Sequence, residues 1–324
     1  MTYRAACGWA LLALALALPG LANSQDYPIR PIRLVVPYTP GTGIDIIART
    51  VGPRLTERWG QPVVVENRPG ASGNIGADIV AKAQPDGYTL MVTVNTFTIT
   101  PALYPKLPYD PVKDFAPVGR VATGNIALVV NPAVLPVKTL DELTAQVRAR
   151  PGKVSYASPG SGTPQHLAVE LLKQRLGIDM LHVPHKGAAG ALNDLLGGQV
   201  QLMVLPVHTA LPFAKAGKLN VVAVSGEGRS VLAPDSPSFA ELGLKNLDID
   251  LYFWIAAPAG APGPVIGKWN RETAAILGLA DVRESLLKQG LVPSPSSPGD
   301  IAARIKTDVE RWKKFVSEAK ITAD

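Results

Sequence analysis

The chain has 324 residues, 47% of them hydrophobic, with 32 lysines and arginines against 26 acids and a formal charge of +6. That length can bury two cores of ordinary domain size, and the basic residues are dispersed, which fits a solvated surface with mild attraction for anions and excludes a nucleic-acid footprint. The lone cysteine is Cys7, so the chain beyond it has no disulfide, thiolate zinc site or cysteine nucleophile.

Residues 1–24 read as a targeting segment. Arg4 supplies the positive charge, residues 8–18 form an unbroken apolar run, and Ala22 and Ser24 follow at the spacing of a cleavage site. The run is shorter than the roughly 20 residues a transmembrane helix needs. A buried N-terminal helix is the competing reading. Cys7 precedes the apolar run, whereas a lipid anchor would follow it. No later run is long enough to span a bilayer, so no membrane insertion is expected.

In chain order, short β-branched runs at 32–36, 63–66 and 89–94 predict buried strands, and periodic stretches at 45–59 and 75–82 predict helices. A second set of units begins after Asn125. It has strands at 154–157, 180–183, 201–205 and 220–224, and helices at 165–176 and 188–196. Residues 246–257 read as extended and aromatic, and 258–264 as a loop. Helices at 265–277 and 300–319 close the chain. The last repeats Ile301, Ile305, Val309, Trp312 and Val316 on one face. Strand-then-helix alternation predicts an α/β fold built on parallel sheet. The segments 121–127 and 248–257 are candidate crossings between two halves, a first of residues 25–124 with 250–324 and a second of 125–249. Trp254, near one crossing, is the expected fluorescent reporter of their relative motion.

Three glycine-rich loops stand between a strand and a helix. The first is PYTPGTGID, residues 37–45. A helix N-terminus presents unpaired N–H groups and a positive dipole end, and glycine lets the backbone approach a ligand. The loop is neither a dinucleotide fingerprint, since Ile46 stands where a third glycine would fall, nor a P-loop. A plain tight turn is the alternative. The second, NRPGASGNIGA at 67–77, spaces Gly70, Gly73 and Gly76 three apart, with Ser72 and Asn74 between them as donors or caps. The third, SPGSGTPQH at 158–166, offers Ser161, Thr163 and Gln165 as donors. Asp45 is expected to cap or organise the first loop, because a carboxylate pointing into the site would repel an anion.

The four histidines have no metal-site spacing. His182 reads as a satisfied strand residue and His185 as a turn residue fit for a cleft, while His208, in a loop after Leu205, fits either role. Ser161 near His166 lacks the G-x-S-x-G elbow and an orienting acid, so catalysis is not expected.

Taken in order, PGTGIDIIAR, GQPVVVENRPGASGNIGA, PDGYTL, YASPGSGTPQHLA, HVPHKG, LLGGQVQLM and AGKLNVVAV are similar to the substrate-binding proteins of tripartite tricarboxylate transporters, the Bug-type or TctC-like family. The resemblance covers essentially all of the chain after residue 24. It implies a two-lobed periplasmic binding protein, type II-like, each lobe a mostly parallel sheet flanked by helices. Such a protein closes on a small organic carboxylate and delivers it to membrane transporter subunits. A sensor presenting the acid to a signalling protein is the alternative. The resemblance implies no cofactor, no metal, no enzyme activity and a monomer. Carried over residue by residue, it places the ligand near Tyr38, Thr39, Gly41, Thr42, Gly43, Ser72, Gly73 and Asn74. From the other lobe it adds Ser158, Ser161, Thr163, His166, His185, Lys186 and Gly187. The chain departs from the family pattern at Ile44, where a hydroxyl is usual, at Leu205, where many members have Asp, and at His185, where Tyr is usual. The loss of the acid disfavours a ligand with an amino group, and His185 favours one with a second acidic group.

Overall fold

The computed structural model describes residues 27–104 and 106–322; the expected targeting segment, with Cys7, lies outside them. Strands β1 (Ile32–Val36), β2 (Val63–Asn67) and β3 (Thr89–Val94) pair in parallel. β1 and β3 are almost wholly buried, as strands covered on both faces must be. β4 (Phe115–Gly124), β10 (Leu251–Pro258) and β11 (Val292–Pro293) join antiparallel, and the six run in the order β11-β4-β10-β3-β1-β2. A second sheet follows the same plan. β6 (Ser155–Ser158), β7 (Leu181–Pro184) and β8 (Leu202–Pro206) are parallel, and β5 (Ile126–Val130) runs against β8 and β9 (Asn220–Val224), in the order β7-β6-β8-β5-β9. The two-lobed α/β architecture is therefore as expected, with mixed sheets. Strand-then-helix units make the parallel half of each sheet. The antiparallel half comes from strands next to the passages between the sheets, which must run back.

Ten α-helices are seen among the described residues. α1 (Gly43–Trp59), α2 (Asn74–Ala81) and α3 (Thr96–Leu103) follow β1, β2 and β3. α4 (Leu140–Ala149) precedes β6, and α5 (Pro164–Leu176), α6 (Ala188–Leu196) and α7 (Val207–Lys215) follow β6, β7 and β8. α8 (Gly263–Leu277), α9 (Ala280–Lys288) and α10 (Pro298–Glu318) close the chain. Four of these are not among the sequence-predicted helices. α3 and α7 carry internal prolines and β-branched residues, and α3 folds as a helix because its apolar residues are buried. α4 has a readable signal, the capping box of Thr139 and Glu142. α9 is short and mostly polar.

α10 starts from a capping box, Ser297 with Asp300. Its Ile301, Ile305 and Val309 pack with Tyr252 and Trp254 against the first sheet, while Trp312, Phe315 and Val316 pack with Ile99 and Leu167 of α3 and α5. One helical face thus touches both halves. Trp254 is sealed in the first core beside Phe97, their ring centroids 5.3 Å apart.

The chain passes between the sheets at Asn125 and again at Asp250. The two passages are cross-tied. The Asn125 amide donates to Ser225 O and to the Asp250 carboxylate, both at 3.0 Å. Ser225 Oγ donates to the same carboxylate, and the Asn95 amide donates to Asp250 O at 3.1 Å. Burial pushes the Asp250 carboxyl above the usual range, although Ser225 and Asn125 oppose the shift.

Candidate ligand-binding site

In open α/β sheets, ligands collect beyond the carboxyl ends of parallel strands. Here those ends carry the three glycine-rich loops, the 185–187 turn and the start of α7. The two halves meet at this edge: a Cβ built on Gly162, after β6, would lie 2.1 Å from Leu103 of α3.

The first loop is held by Asp45, only 3% exposed. Its carboxylate accepts from Gly41 N at 3.0 Å, from Arg49 Nε at 3.0 Å and from the Asn67 amide at 2.9 Å. Burial alone would raise its pKa, but donation by Arg49, Gly41 and Asn67 outweighs it and holds the group below the usual carboxylate range. The expected cap is thus a tie into the loop, since Asp45 reaches back to Gly41. Thr42, at the N-cap, makes no side-chain cap bond, because its hydroxyl donates to Thr39 O at 3.0 Å. The first-turn N–H groups of α1 are left without a side-chain cap. Asn67, given no role by the sequence reasoning, also donates to Tyr38 O at 3.0 Å and so joins the first loop to the second.

The second loop contains four consecutive residues with positive φ: Gly70 (131°), Ala71 (46°), Ser72 (55°) and Gly73 (92°). Ala71 and Ser72 pay a steric penalty there, of a kind that collects at binding sites. Tyr38 braces the loop by donating its hydroxyl to Ser72 O at 3.1 Å. Burial pushes the Tyr38 hydroxyl up to about 12, so it stays a donor at neutral pH. A Cβ on Gly73 would lie 3.0 Å from that hydroxyl, and one on Gly76 would lie 2.8 Å from Pro37 Cα. These glycines let the two loops close on each other. Asn74 turns inward, its side-chain oxygen accepting from the buried Tyr109 hydroxyl at 2.6 Å and its N–H bonded to Ala71 O. It supports the loop from beneath. Gly73, the N-cap of α2, supplies no side-chain cap.

The third loop is held differently. Tyr156, His182 and His166 form a stack, with centroids 4.8 Å apart for the first pair and 3.8 Å for the second. His182 Nε2 lies 2.7 Å from Ser158 Oγ, and Ser158 Oγ donates to Gly160 O at 3.1 Å. His166 Nδ1 accepts from Gly162 N at 2.9 Å, and Thr163 Oγ1 donates to Gly160 O at 2.8 Å and caps α5. Ser158 and His166 are thus buried beneath the loop, with half-buried Ser161 at its tip. His182 is satisfied within this stack.

In the turn after β7, His185 N donates to Ser158 O at 3.1 Å and Gly187 N to Pro159 O at 3.0 Å, docking the turn on the third loop. The His185 ring faces Val183 O at 3.1 Å and the Asp194 carboxylate at 2.8 Å. A ring expected to favour a second acidic group is therefore engaged with an acid of α6. Lys186 is exposed, and Gly187 at the N-cap of α6 provides no side-chain cap.

A model of the tripartite tricarboxylate transporter family receptor matches residues 47–321. The chain belongs to the tripartite tricarboxylate transporter receptor family. This receptor is similar to a solved periplasmic transporter, with 37% identity and a TM-score of 0.80 over 92% of this chain and 100% of the other. It is also similar to an R. palustris protein solved with adipate, at 34% identity and a TM-score of 0.80 over 92% and 99%. The MatC protein of Rhodopseudomonas palustris, solved with bound malate, shares 31% identity with a TM-score of 0.75 over 90% and 100%. The receptor is accordingly a periplasmic solute-binding protein of transport and not a catalyst.

Proposed function

We propose that this receptor captures a small dicarboxylate, holding one carboxylate on the first two loops of the first lobe and closing the second lobe over it. The observation that carries the reading is the set of uncapped helix starts at one edge. α1, α2 and α6 each begin without a side-chain cap, so their first-turn N–H groups can donate to an anion. In this reading Thr39, Gly41, Thr42, Gly43, Ser72 and Gly73 touch the ligand from one lobe, and Ser161, Lys186 and Gly187 from the other. Tyr38, Asp45, Asn74, Ser158, Thr163, His166 and His185 hold those contacts in place. The similar proteins solved with adipate and with malate support the dicarboxylate class. The lobes are residues 25–124 with 250–324, and 125–249. They move about the tied passages, and the ligand favours the closed form by binding it more tightly. The receptor acts as a monomer that hands its solute to membrane transporter subunits.

The test is thermal unfolding of the ligand-stripped protein with mono-, di- and tricarboxylates. A ligand at about 1,000 times its Kd stabilises by about 4 kcal/mol, a rise of several degrees or more in Tm. Such a rise with dicarboxylates is expected. A rise confined to another class, or none from folded, empty protein, overturns the reading.

A further inference from the structure

His208 lies in the first turn of α7, at the carboxyl end of β8, on the same edge as the third loop and the 185–187 turn. Sequence reasoning leaves it in a loop with either of two roles. The structure places its ring across the junction between the halves, against Gly290 in the segment joining α9 to β11. A Cβ on Gly290 would lie 2.2 Å from His208 Nδ1 and 2.5 Å from Cγ, so the ring occupies the space that a side chain at 290 would fill. The neighbouring residue, Leu291, comes within 3.5 Å of a Cβ built on Gly43, the first residue of α1, and Phe253 within 3.3 Å. Phe253 also lies 3.7 Å from a Cβ on Gly124, beside the Asn125 passage. His208 is therefore a polar side chain of the second half set against Gly290, whose neighbour Leu291 packs with Phe253 in the first core, close to the uncapped start of α1.

The imidazole is solvent-accessible and has no hydrogen-bond partner among the described residues. Desolvation is the only influence lowering its pKa, with no contribution from a charged neighbour. On α9, which leads into Gly290, Lys288 is paired with Glu284 at 2.7 Å. On α1, Asp45 is spent on Gly41, Arg49 and Asn67. His185, in the turn after β7, is engaged by Asp194. A ring nitrogen at the junction is left to donate to a ligand.

We propose that His208 is a specificity-determining residue, donating from the second lobe to the distal carboxylate of a dicarboxylate whose first carboxylate rests on the start of α1. This rests on the dicarboxylate reading above. The distal oxygen supplies an acceptor for the ring. A monocarboxylate of equal length leaves the ring without that acceptor.

Calorimetric titration of wild type, His208→Phe and His208→Gln with adipate and with hexanoate tests this, after each variant is shown to unfold at close to the wild-type temperature. A hydrogen bond to a charged group predicts a loss of about tenfold or more in adipate affinity for His208→Phe. Hexanoate affinity stays unchanged, and His208→Gln, which keeps an N–H donor, recovers part of the loss. An equal loss for both acids assigns the residue a purely structural part and overturns the proposal, as does unchanged adipate affinity. If wild type binds neither acid nor any other dicarboxylate, the reading of the site itself falls, and the proposal with it.

Discussion

The loops at 37–43 and 158–163 stand at equivalent places, each after a parallel strand and before a long helix, yet they are held by different chemistry. The first hangs on one carboxylate, Asp45, which gathers a loop N–H, an amide and a guanidinium. The second rests on a stack of three rings and two hydroxyls, with His166 Nδ1 as an acceptor. In both, the polar side chains point inward and bond the loop to itself. The difference teaches that loops at equivalent places can be satisfied from beneath by unlike chemistry. Either ionic or hydrogen-bonded support serves that end, with different sensitivity to mutation and to pH.

The sharpest way to break this comparison is Asp45→Ala. It strands three donors at once, and it is expected to cost about 2–4 kcal/mol in urea unfolding and to abolish ligand binding in calorimetry. Binding at wild-type affinity would show that the first loop needs no anchor. Ser158→Ala removes the hydroxyl that faces His182 Nε2 and bonds Gly160, and about 1–2 kcal/mol is expected. A loss larger than that of Asp45→Ala would invert the ranking of the two supports.

Stability as a function of pH separates the loop anchor from the tied passages. The folded-state pKa of Asp45 is depressed, so its contribution is present above the ordinary aspartate value, about 4, and is lost as pH falls through the lower folded value. Asp250 has the opposite sign. Its folded-state pKa is raised, so the native state holds the proton more tightly, and stability falls as pH rises from the ordinary aspartate value through the raised one. Asp45→Asn should remove the acid-side loss. Asp250→Asn should flatten the fall, and a slope left intact in that variant would place its origin elsewhere. The smallest effect is optical. Trp312 lies where α10 meets α5, and Trp254 is sealed in one core. A ligand-induced fluorescence change should vanish in Trp312→Phe and survive in Trp254→Phe, which reverses the reporter expected from sequence; loss in Trp254→Phe alone would restore it.

Much of the architecture was legible because local rules decide it. β-branched runs marked β1, β3 and β9, the stripe from Ile301 to Val316 marked α10, and glycines between strand and helix marked the loops. The ordered motifs carried the family. α3 and α7 were not legible, since their prolines and β-branched residues argue against helix, a preference that burial overrides in α3. Nor was the division of labour within the loops. The sequence and the resemblance put Asn74, Ser158 and His166 near a ligand, and only the fold shows their bonds with Tyr109, His182 and Gly162.

The sequence by itself determined the elements whose signal is local: strand runs, helix faces, capping boxes and the glycines that permit positive φ. Tertiary structure alone decided which partners the polar side chains of the loops bond to. It also decided that α10 touches both halves and that His208 reaches Gly290. The physical reason is that each of these depends on a partner far along the chain, and a residue's type states what it can bond to without saying what the fold will bring within reach.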